Sequence, residues 1–172
     1  MDAKTRALQA LKNAGTVIRA DEAENMEIAD FGLNDLNNIG LEIVVYVNTE
    51  RVCAKELVLL PRQACPEHRH PGVGGREGKE ETFRCRAGTV YLYVEGETNC
   101  RPKTEGLEAY AEYLRASHEI ILRPGEQYTL APDTAHWFRA GEAGAVVSEF
   151  STRSTDENDV FTDPRIKRVA DE

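Results

Sequence analysis

Three of the four histidines in this chain combine with one glutamate into a set that can bind a metal ion. His68 and His70 are separated by one residue, so both side chains point to the same face of an extended strand. Glu81 adds an anionic oxygen, and His136 adds a third imidazole from a distant segment. Three neutral imidazoles and one carboxylate suit Mn²⁺, Fe²⁺, Co²⁺, Ni²⁺ or Zn²⁺. The spacing therefore predicts a site for a single divalent metal ion.

The number of ligands indicates what kind of metal site this is. Four protein ligands on an octahedral ion leave two adjacent positions open, whereas a four-coordinate structural zinc site has none. Cys65 lies shortly before His68, so a zinc site of cysteine and histidine is an alternative. The four cysteines form no Cys-x-x-Cys pair, and this argues against it.

Two further residues are candidates for moving protons beside the metal. Glu149 lies in an apolar run and shares its side of a predicted strand with Val147 and Ser151, which makes it a candidate base. Lys79 lies just before Glu81 and points the same way if this segment is extended, so it is a candidate hydrogen-bond donor. The alternatives are a solvent-facing glutamate on an edge strand and a solvated loop lysine.

Many short strands must position these side chains. Beyond residue 40, runs rich in Val, Ile, Leu, Tyr and Phe alternate with Gly, Pro, Asn or Asp. This pattern is typical of an all-β sandwich or barrel. The predicted strands are 41–48, 52–60, 82–86, 89–95, 118–123, 126–131, 136–140 and 144–151.

The segments outside these strands complete the predicted domain. Residues 4–14 carry apolar side chains at helical spacing and are followed by Gly15, a common helix stop. Asp21 and Glu24 form a capping-box pattern for a second short helix. The glycine-rich segment 71–80 predicts a mobile flap. We expect one domain, with a helical segment over 1–40, a barrel over 41–152 and a tail over 153–172.

The composition narrows the possible partners. The net charge of −9 argues against nucleic acid or an anionic membrane as a partner. No run approaches the roughly 20 apolar residues of a membrane span, and the first residues form no apolar signal core. We therefore expect a cytoplasmic protein in which the cysteines are reduced thiols.

The residues around the first three candidate ligands form a recognisable series. His68, an intervening residue and His70 are followed by Glu81 and, after six more residues, by Gly88. This series resembles the first motif of the cupin superfamily. The gap of ten residues between His70 and Glu81 is longer than in most cupins.

The last candidate ligand closes a second series, from Gly125 through the turn residue Pro132 to His136. It resembles the second cupin motif, although Ala131 and Asp133 replace the usual proline and glycine. Pro132 and Asp133 can still make the turn. The two resemblances imply a cupin jelly-roll barrel, also called a double-stranded β-helix, preceded by short N-terminal helices.

The likeness narrows to one group of small bacterial cupin sugar isomerases, the D-lyxose isomerase family. It runs from about Gly32 to Ile166 and includes the long gap between the ligands. The segments that carry it are 55–59, 65–71, 78–86, 91–97 and 161–166. The resemblance implies a Mn²⁺-dependent enzyme that interconverts D-lyxose and D-xylulose, with D-mannose and D-fructose as weaker substrates.

The implied reaction moves a proton between C1 and C2 of an open-chain sugar through an enediolate. Glu149 is the first candidate for the base, with Lys79 as the second candidate catalytic residue. Two other functions remain open from the residues alone. One is an Fe²⁺-dependent cupin dioxygenase, and the other is a non-catalytic cupin that binds a sugar.

The tail and the N-terminal segment carry the remaining expectations. Phe161 and Ile166 pin the tail to the barrel, unless the polar tail residues bond to sugar hydroxyls. Those polar residues are Asp156, Asn158, Asp159, Asp163 and Arg165. Residues 1–40 need a surface to pack on, and open barrels leave edge strands that must be covered, so we expect a homodimer.

Overall fold

The computed structural model describes residues 1–168 as a barrel of antiparallel strands preceded by two short helices. The helices are α1 (Ala3–Asn13) and α2 (Ala20–Glu24). The strands are β1 (Glu27–Ala29), β2 (Leu41–Asn48), β3 (Cys53–Leu59), β4 (Ala64–Arg69), β5 (Glu81–Val94), β6 (His118–Leu122), β7 (Gln127–Leu130), β8 (His136–Ser151) and β9 (Val160–Phe161). The predicted all-β jelly-roll architecture is confirmed.

Two long strands, β5 and β8, hold the barrel together because each takes part in both of its layers. The C-terminal part of β8 lies between β3 and the first half of β5, whereas its N-terminal part lies between β4 and the second half of β5. The outer strands complete the two layers, since β2 pairs with β3, β9 with β4, and β6 and β7 with β5.

The bend between the layers depends on a close backbone approach. Gly88 has a φ of +75°, and a Cβ atom there would lie 2.0 Å from the Gly144 carbonyl oxygen. The β5–β8 register shifts on both sides of this point, and such bulges bend a strand. The sequence predicted separate strands over 82–86 and 89–95, but because of this bend they form one bent strand, β5. In the same way, the predicted strands 136–140 and 144–151 form the single strand β8.

Three strands and one helix cap differ from the prediction. β1, β4 and β9 were not predicted, because they are short or, in β4, contain proline and charged residues. The second helix is present, but its N-terminal cap is Arg19, whose backbone N–H donates to the Glu22 carboxylate over 2.9 Å. The capping box at Asp21 and Glu24 was therefore wrong.

The N-terminal helix packs on the outside of its own barrel. Ala7 and Leu11 are fully buried there against Val44, Val58 and Val146. The chain itself thus supplies the surface that its first residues need, and the homodimer stays a prediction. None of the helices in residues 1–168 has the length and apolar character needed to cross a membrane.

Candidate metal centre and its cavity

The barrel brings the three predicted histidine ligands together at one end. Their ligand atoms all lie within 4.8 Å of one another, and all three side chains are buried. His68 on β4 pairs directly with His136, the first residue of β8, while His70 follows the end of β4. Glu81 is the first residue of β5. All four side chains therefore come from strand ends at the same rim.

Backbone carbonyls fix the orientation of two of the imidazoles. The Nδ1–H of His68 donates to the Pro66 carbonyl over 2.8 Å, and that of His136 donates to the Thr134 carbonyl over 2.9 Å. The hydrogens are assigned from these acceptors. A donating Nδ1 leaves the Nε2 lone pair free to coordinate a metal.

A carboxylate orients the third imidazole in the same way. Asp159 accepts from Nδ1 of His70 over 2.5 Å, and Nε2 of His70 lies 3.1 Å from Oε1 of Glu81. Asp159 follows the helical turn Asp156–Asn158 in the tail and lies 89 residues from His70 in sequence. A carboxylate behind a ligating histidine raises the basicity of the ligand.

An unpaired nitrogen tests whether these residues fit a metal ion. Nε2 of His136 is buried, and none of the described residues gives it a hydrogen bond, although Oε1 of Glu81 lies 3.1 Å away. A buried polar atom without a partner costs about 1–3 kcal/mol. A cation bound between His136 and Glu81 would satisfy both atoms, so the donor set fits a divalent metal.

The electrostatics of the cluster also suit a cation. Burial lowers the pKa of His68 well below its ordinary value, which keeps this imidazole neutral. Burial acts in the same direction on His70, but the Glu81 and Asp159 carboxylates outweigh it and raise the pKa of His70 to about 9. A metal ion that bound at His70 would therefore have to displace a proton from it.

The two predicted proton-transfer residues lie beside the cluster. Nζ of Lys79 is 2.7 Å from Oε2 of Glu81 and 2.7 Å from Oε1 of Glu149. Glu149 points into the barrel, as its position in β8 predicted. Burial opposes the charge on Lys79, but the two carboxylates raise the pKa of Lys79 well above its usual range. Lys79 is therefore an ammonium group, which can donate hydrogen bonds but cannot act as a base.

The loop before Glu81 returns tightly to the ligands. A Cβ atom on Gly78 would lie 1.9 Å from the His70 carbonyl oxygen, so only glycine lets the chain pass there. The backbone directly before Lys79 therefore lies against the backbone of His70. Lys79 is buried, whereas the next residue, Glu80, is exposed.

The cluster lines a pocket that opens inside the barrel. Charged residues that were not predicted as site residues, Lys55 and Arg168, also line it, together with Asp156 from the tail. Nζ of Lys55 lies 3.0 Å from Asp156, and a guanidinium nitrogen of Arg168 lies 3.3 Å from the same carboxylate. The sequence does carry a sign that Lys55 is buried, since this residue lies on the same side of β3 as the buried Cys53 and Leu57.

The tail is held on the barrel by a carboxylate next to a ligand. Glu67 points away from the histidines and accepts from the backbone N–H groups of Arg115 and Ala116 over 2.6 Å each. It also accepts from the Thr162 hydroxyl over 2.7 Å. The neighbouring Phe161 ring packs 5.4 Å from the His68 ring. Phe161 and Ile166 both contact the core, as expected for residues that pin the tail.

A jelly-roll barrel that gathers three histidines and a glutamate at one rim defines this chain as a cupin. Residues 6–171 match the family model of D-lyxose isomerase, and the chain belongs to this family. It is therefore an aldose–ketose isomerase, as the sequence analysis predicted.

Two relatives illustrate how close this likeness is. The chain is 60% identical to the D-lyxose/D-mannose isomerase of Thermosediminibacter oceani over 164 residues, covering 95% of this chain and 91% of the relative. It is 55% identical to a D-lyxose ketol-isomerase of Thermofilum sp. over 168 residues, covering 98% of this chain and 93% of the relative.

Solved structures support the fold. The L-ribose isomerase of Acinetobacter sp. DL28 in complex with L-ribose superposes with a TM-score of 0.76, covering 94% of this chain and 90% of that one. The sequence identity is only 15%, so the likeness concerns the fold.

Proposed function

We propose that this protein interconverts D-lyxose and D-xylulose, and more slowly D-mannose and D-fructose, with a divalent metal held by His68, His70, Glu81 and His136. Mn²⁺ is the ion we expect, and Co²⁺, Fe²⁺, Ni²⁺ and Zn²⁺ suit the same donors. The relatives named for D-lyxose and D-mannose support the choice of sugars. The observation that carries the proposal is the Lys79–Glu149 pair directly beside Glu81.

The donor set suits a sugar whose first two oxygens approach the metal centre. A bound divalent cation supplies positive charge that polarises the carbonyl and stabilises negative charge on the neighbouring oxygens. Nε2 atoms of three fixed imidazoles and one oxygen of Glu81 converge on that point. The protein holds these donors in place through hydrogen bonds to carbonyls and to Asp159, so little rearrangement is needed on binding.

Glu149 and Lys79 have complementary roles in this proposal. The Glu149 carboxylate takes the proton from C2 and returns it to C1, while the hydroxyl proton on O2 passes to O1; together the two transfers convert the aldose into the ketose through an enediolate. The Lys79 ammonium donates a hydrogen bond to the sugar oxygen on which negative charge develops. Because Lys79 also contacts Glu81, it ties the base to the metal ligands at a fixed position.

The charges in the cavity favour a neutral sugar over a sugar phosphate. The cavity is lined by three lysine or arginine side chains, Lys55, Lys79 and Arg168. Each of them already contacts at least one carboxylate in the described part of the chain. A phosphate group would need a cation that is not already neutralised.

The decisive experiment is an anaerobic assay of metal-free protein reconstituted with Mn²⁺, across aldopentoses and aldohexoses. We expect about one metal ion per chain and formation of D-xylulose from D-lyxose, with slower formation of D-fructose from D-mannose. The His136→Ala variant should lose most of the metal and the activity. Full metal retention in that variant would refute the ligand assignment. Dioxygen uptake without ketose formation would refute the isomerase and favour an oxygenase.

A further inference from the structure

Lys55 is a buried cation that the proton transfer itself does not use. It lies on the inner face of β3, directly opposite Glu149 of β8, and only 4% of it is exposed. Burying an ammonium group is unfavourable, and an apolar side chain of similar size would fill the space at a lower cost. We therefore expect the buried charge of Lys55 to interact with a ligand or with a partner residue.

The hydrogen bonds of Lys55 leave one donor available. Its Nζ donates to the Ser154 hydroxyl over 2.9 Å and to the two Asp156 oxygens over 3.2 and 3.0 Å. An ammonium group carries three N–H donors, and these two neighbours need only two of them. Residues 1–168 provide no acceptor for Lys55 other than Ser154 and Asp156, so the third N–H is available to a hydroxyl group in the cavity.

The position of this donor is fixed from behind. The Ser154 hydroxyl also donates to Asp156, and Arg168 contacts both Asp156 and Glu27 of β1. The anchor of the ammonium group is therefore itself anchored to the barrel. A donor held in this way binds a ligand without losing much conformational entropy.

The strand order relates Lys55 to the orientation of the sugar in the proposed function. β3 and β5 flank the C-terminal part of β8 on opposite sides, so Lys55 and Glu81 lie on opposite sides of Glu149. Neighbouring side chains on adjacent strands are about 5 Å apart. A sugar with its first oxygens at the metal ligands and its second carbon at Glu149 extends its remaining carbons toward Lys55.

We propose that Lys55 determines specificity by donating a hydrogen bond to a sugar hydroxyl beyond C3. This inference rests on the proposed function for the orientation of the sugar. In this proposal Asp156 and Ser154 are positioning residues, since they hold Lys55. Lys55 would thus recognise the end of the sugar that does not react.

Substrates that differ only beyond C3 test this proposal. L-ribose differs from D-lyxose only in the configuration at C4, and 5-deoxy-D-lyxose lacks only the hydroxyl at C5. For at least one of these analogues, the wild-type protein should prefer D-lyxose in kcat/KM by roughly 10- to 100-fold, the effect of one hydrogen bond to a charged group. In the Lys55→Met variant the same ratio should fall close to one. The control is Lys103→Met, a lysine outside the cavity that pairs with Glu119, and its ratios should equal those of the wild type.

A uniform result would overturn the proposal. If Lys55→Met lowers kcat/KM equally for D-lyxose and both analogues, Lys55 is structural only. Asp156 keeps Ser154 and Arg168 as partners in Lys55→Met, so the fold should tolerate the change. If this variant nevertheless fails to fold, Asp156→Asn keeps the ammonium group but loosens its anchor, and the same ratio should shrink. An unchanged ratio in folded Asp156→Asn would then overturn the proposal.

A binding measurement separates this inference from the proposed function. D-arabinitol, the polyol obtained by reducing D-lyxose, binds without reacting, and calorimetry on the metal-loaded protein gives its Kd. We expect Lys55→Met to weaken the Kd by roughly 10- to 100-fold at unchanged metal content. An unchanged Kd, or no binding to the wild type, overturns the role of Lys55. If the wild type binds D-arabinitol through Lys55 but converts no D-lyxose, the proposed function fails and the role of Lys55 stands.

Discussion

The Glu149→Gln variant tests the chemistry most directly, because it removes the proposed base with almost no change in shape. The amide oxygen can still accept from Lys79, but the amide cannot carry the proton between C2 and C1. General acid–base catalysis by one positioned side chain contributes roughly 10²- to 10⁴-fold, and we expect kcat to fall by that factor. The metal content should stay at the wild-type level, since Glu149 does not contact the histidines.

The structure also sets the expected loss of stability. Lys79 keeps its 2.7 Å contact with Glu81 when Glu149 becomes neutral, so no buried charge is left alone. The cost should therefore be that of weakening one charged hydrogen bond, about 1–3 kcal/mol, and not the 3–5 kcal/mol of a broken buried pair. Urea unfolding of the metal-loaded variant measures this difference.

Glu67→Gln is a matched control for this experiment. Glu67 and Glu149 are equally buried, at 4% exposure each, but Glu67 points away from the cluster toward Arg115 and Thr162. We expect Glu67→Gln to lose stability while kcat changes by only a few-fold. If Glu149→Gln keeps most of the wild-type kcat, or if the two variants lose kcat equally, Glu149 is not the base.

Three further outcomes follow from the same geometry. Asp159→Asn should weaken Mn²⁺ binding about 10- to 100-fold, because His70 loses the carboxylate that orients it. An unchanged Kd for Mn²⁺ in a competition titration would show that the Asp159 contact does not support the metal. The apparent affinity for metal should fall roughly tenfold per pH unit as the pH falls below about 9. The reason is that the pKa of His70 without metal is raised to about 9, so protons compete with the metal for Nε2 below that pH. A flat affinity profile between about pH 6 and 8 would contradict this. Light scattering should give a mass of two 19.2 kDa chains. Phe150→Asp should reduce it to one, because Phe150 is half exposed on the sheet surface, in one row across the strands with Ala54 and Val47. A wild-type mass of one chain would refute the homodimer.

The grouping of the three histidines could be predicted because it depends on local patterns. A histidine pair with a single spacer, and glycine or proline at fixed distances, indicate strand ends and turns whatever the rest of the chain does. The position of Glu149 also followed from strand alternation, because Val147 on the same side had to face the core. Lys79 followed the same rule because the chain is extended where it leads into β5.

The remaining contacts depend on how distant segments fold back. Asp159 reaches His70 only because the tail returns to the barrel and adds β9 beside β4. No periodicity in the tail indicates that return, so the polar tail residues could only be grouped as possible sugar ligands. The glycines in β5 and β8 were interpreted as strand ends, since bends and ends have the same composition. Lys55 was missed because one lysine in an apolar run is usually a solvated residue at a strand edge.

The place of Asp156, Asp159 and Arg168 in the chain has a consequence for biosynthesis. The ribosome releases the barrel strands first, and residues 154–168 emerge only after both β5 and β8. A nascent barrel thus has its histidines before it has the aspartate that orients His70 or the anchor of Lys55. If the proposed metal site is correct, tight binding of the ion follows translation of the tail, because a chain without residues 154–168 lacks the contact of Asp159 with His70 and the contact of Asp156 with Lys55.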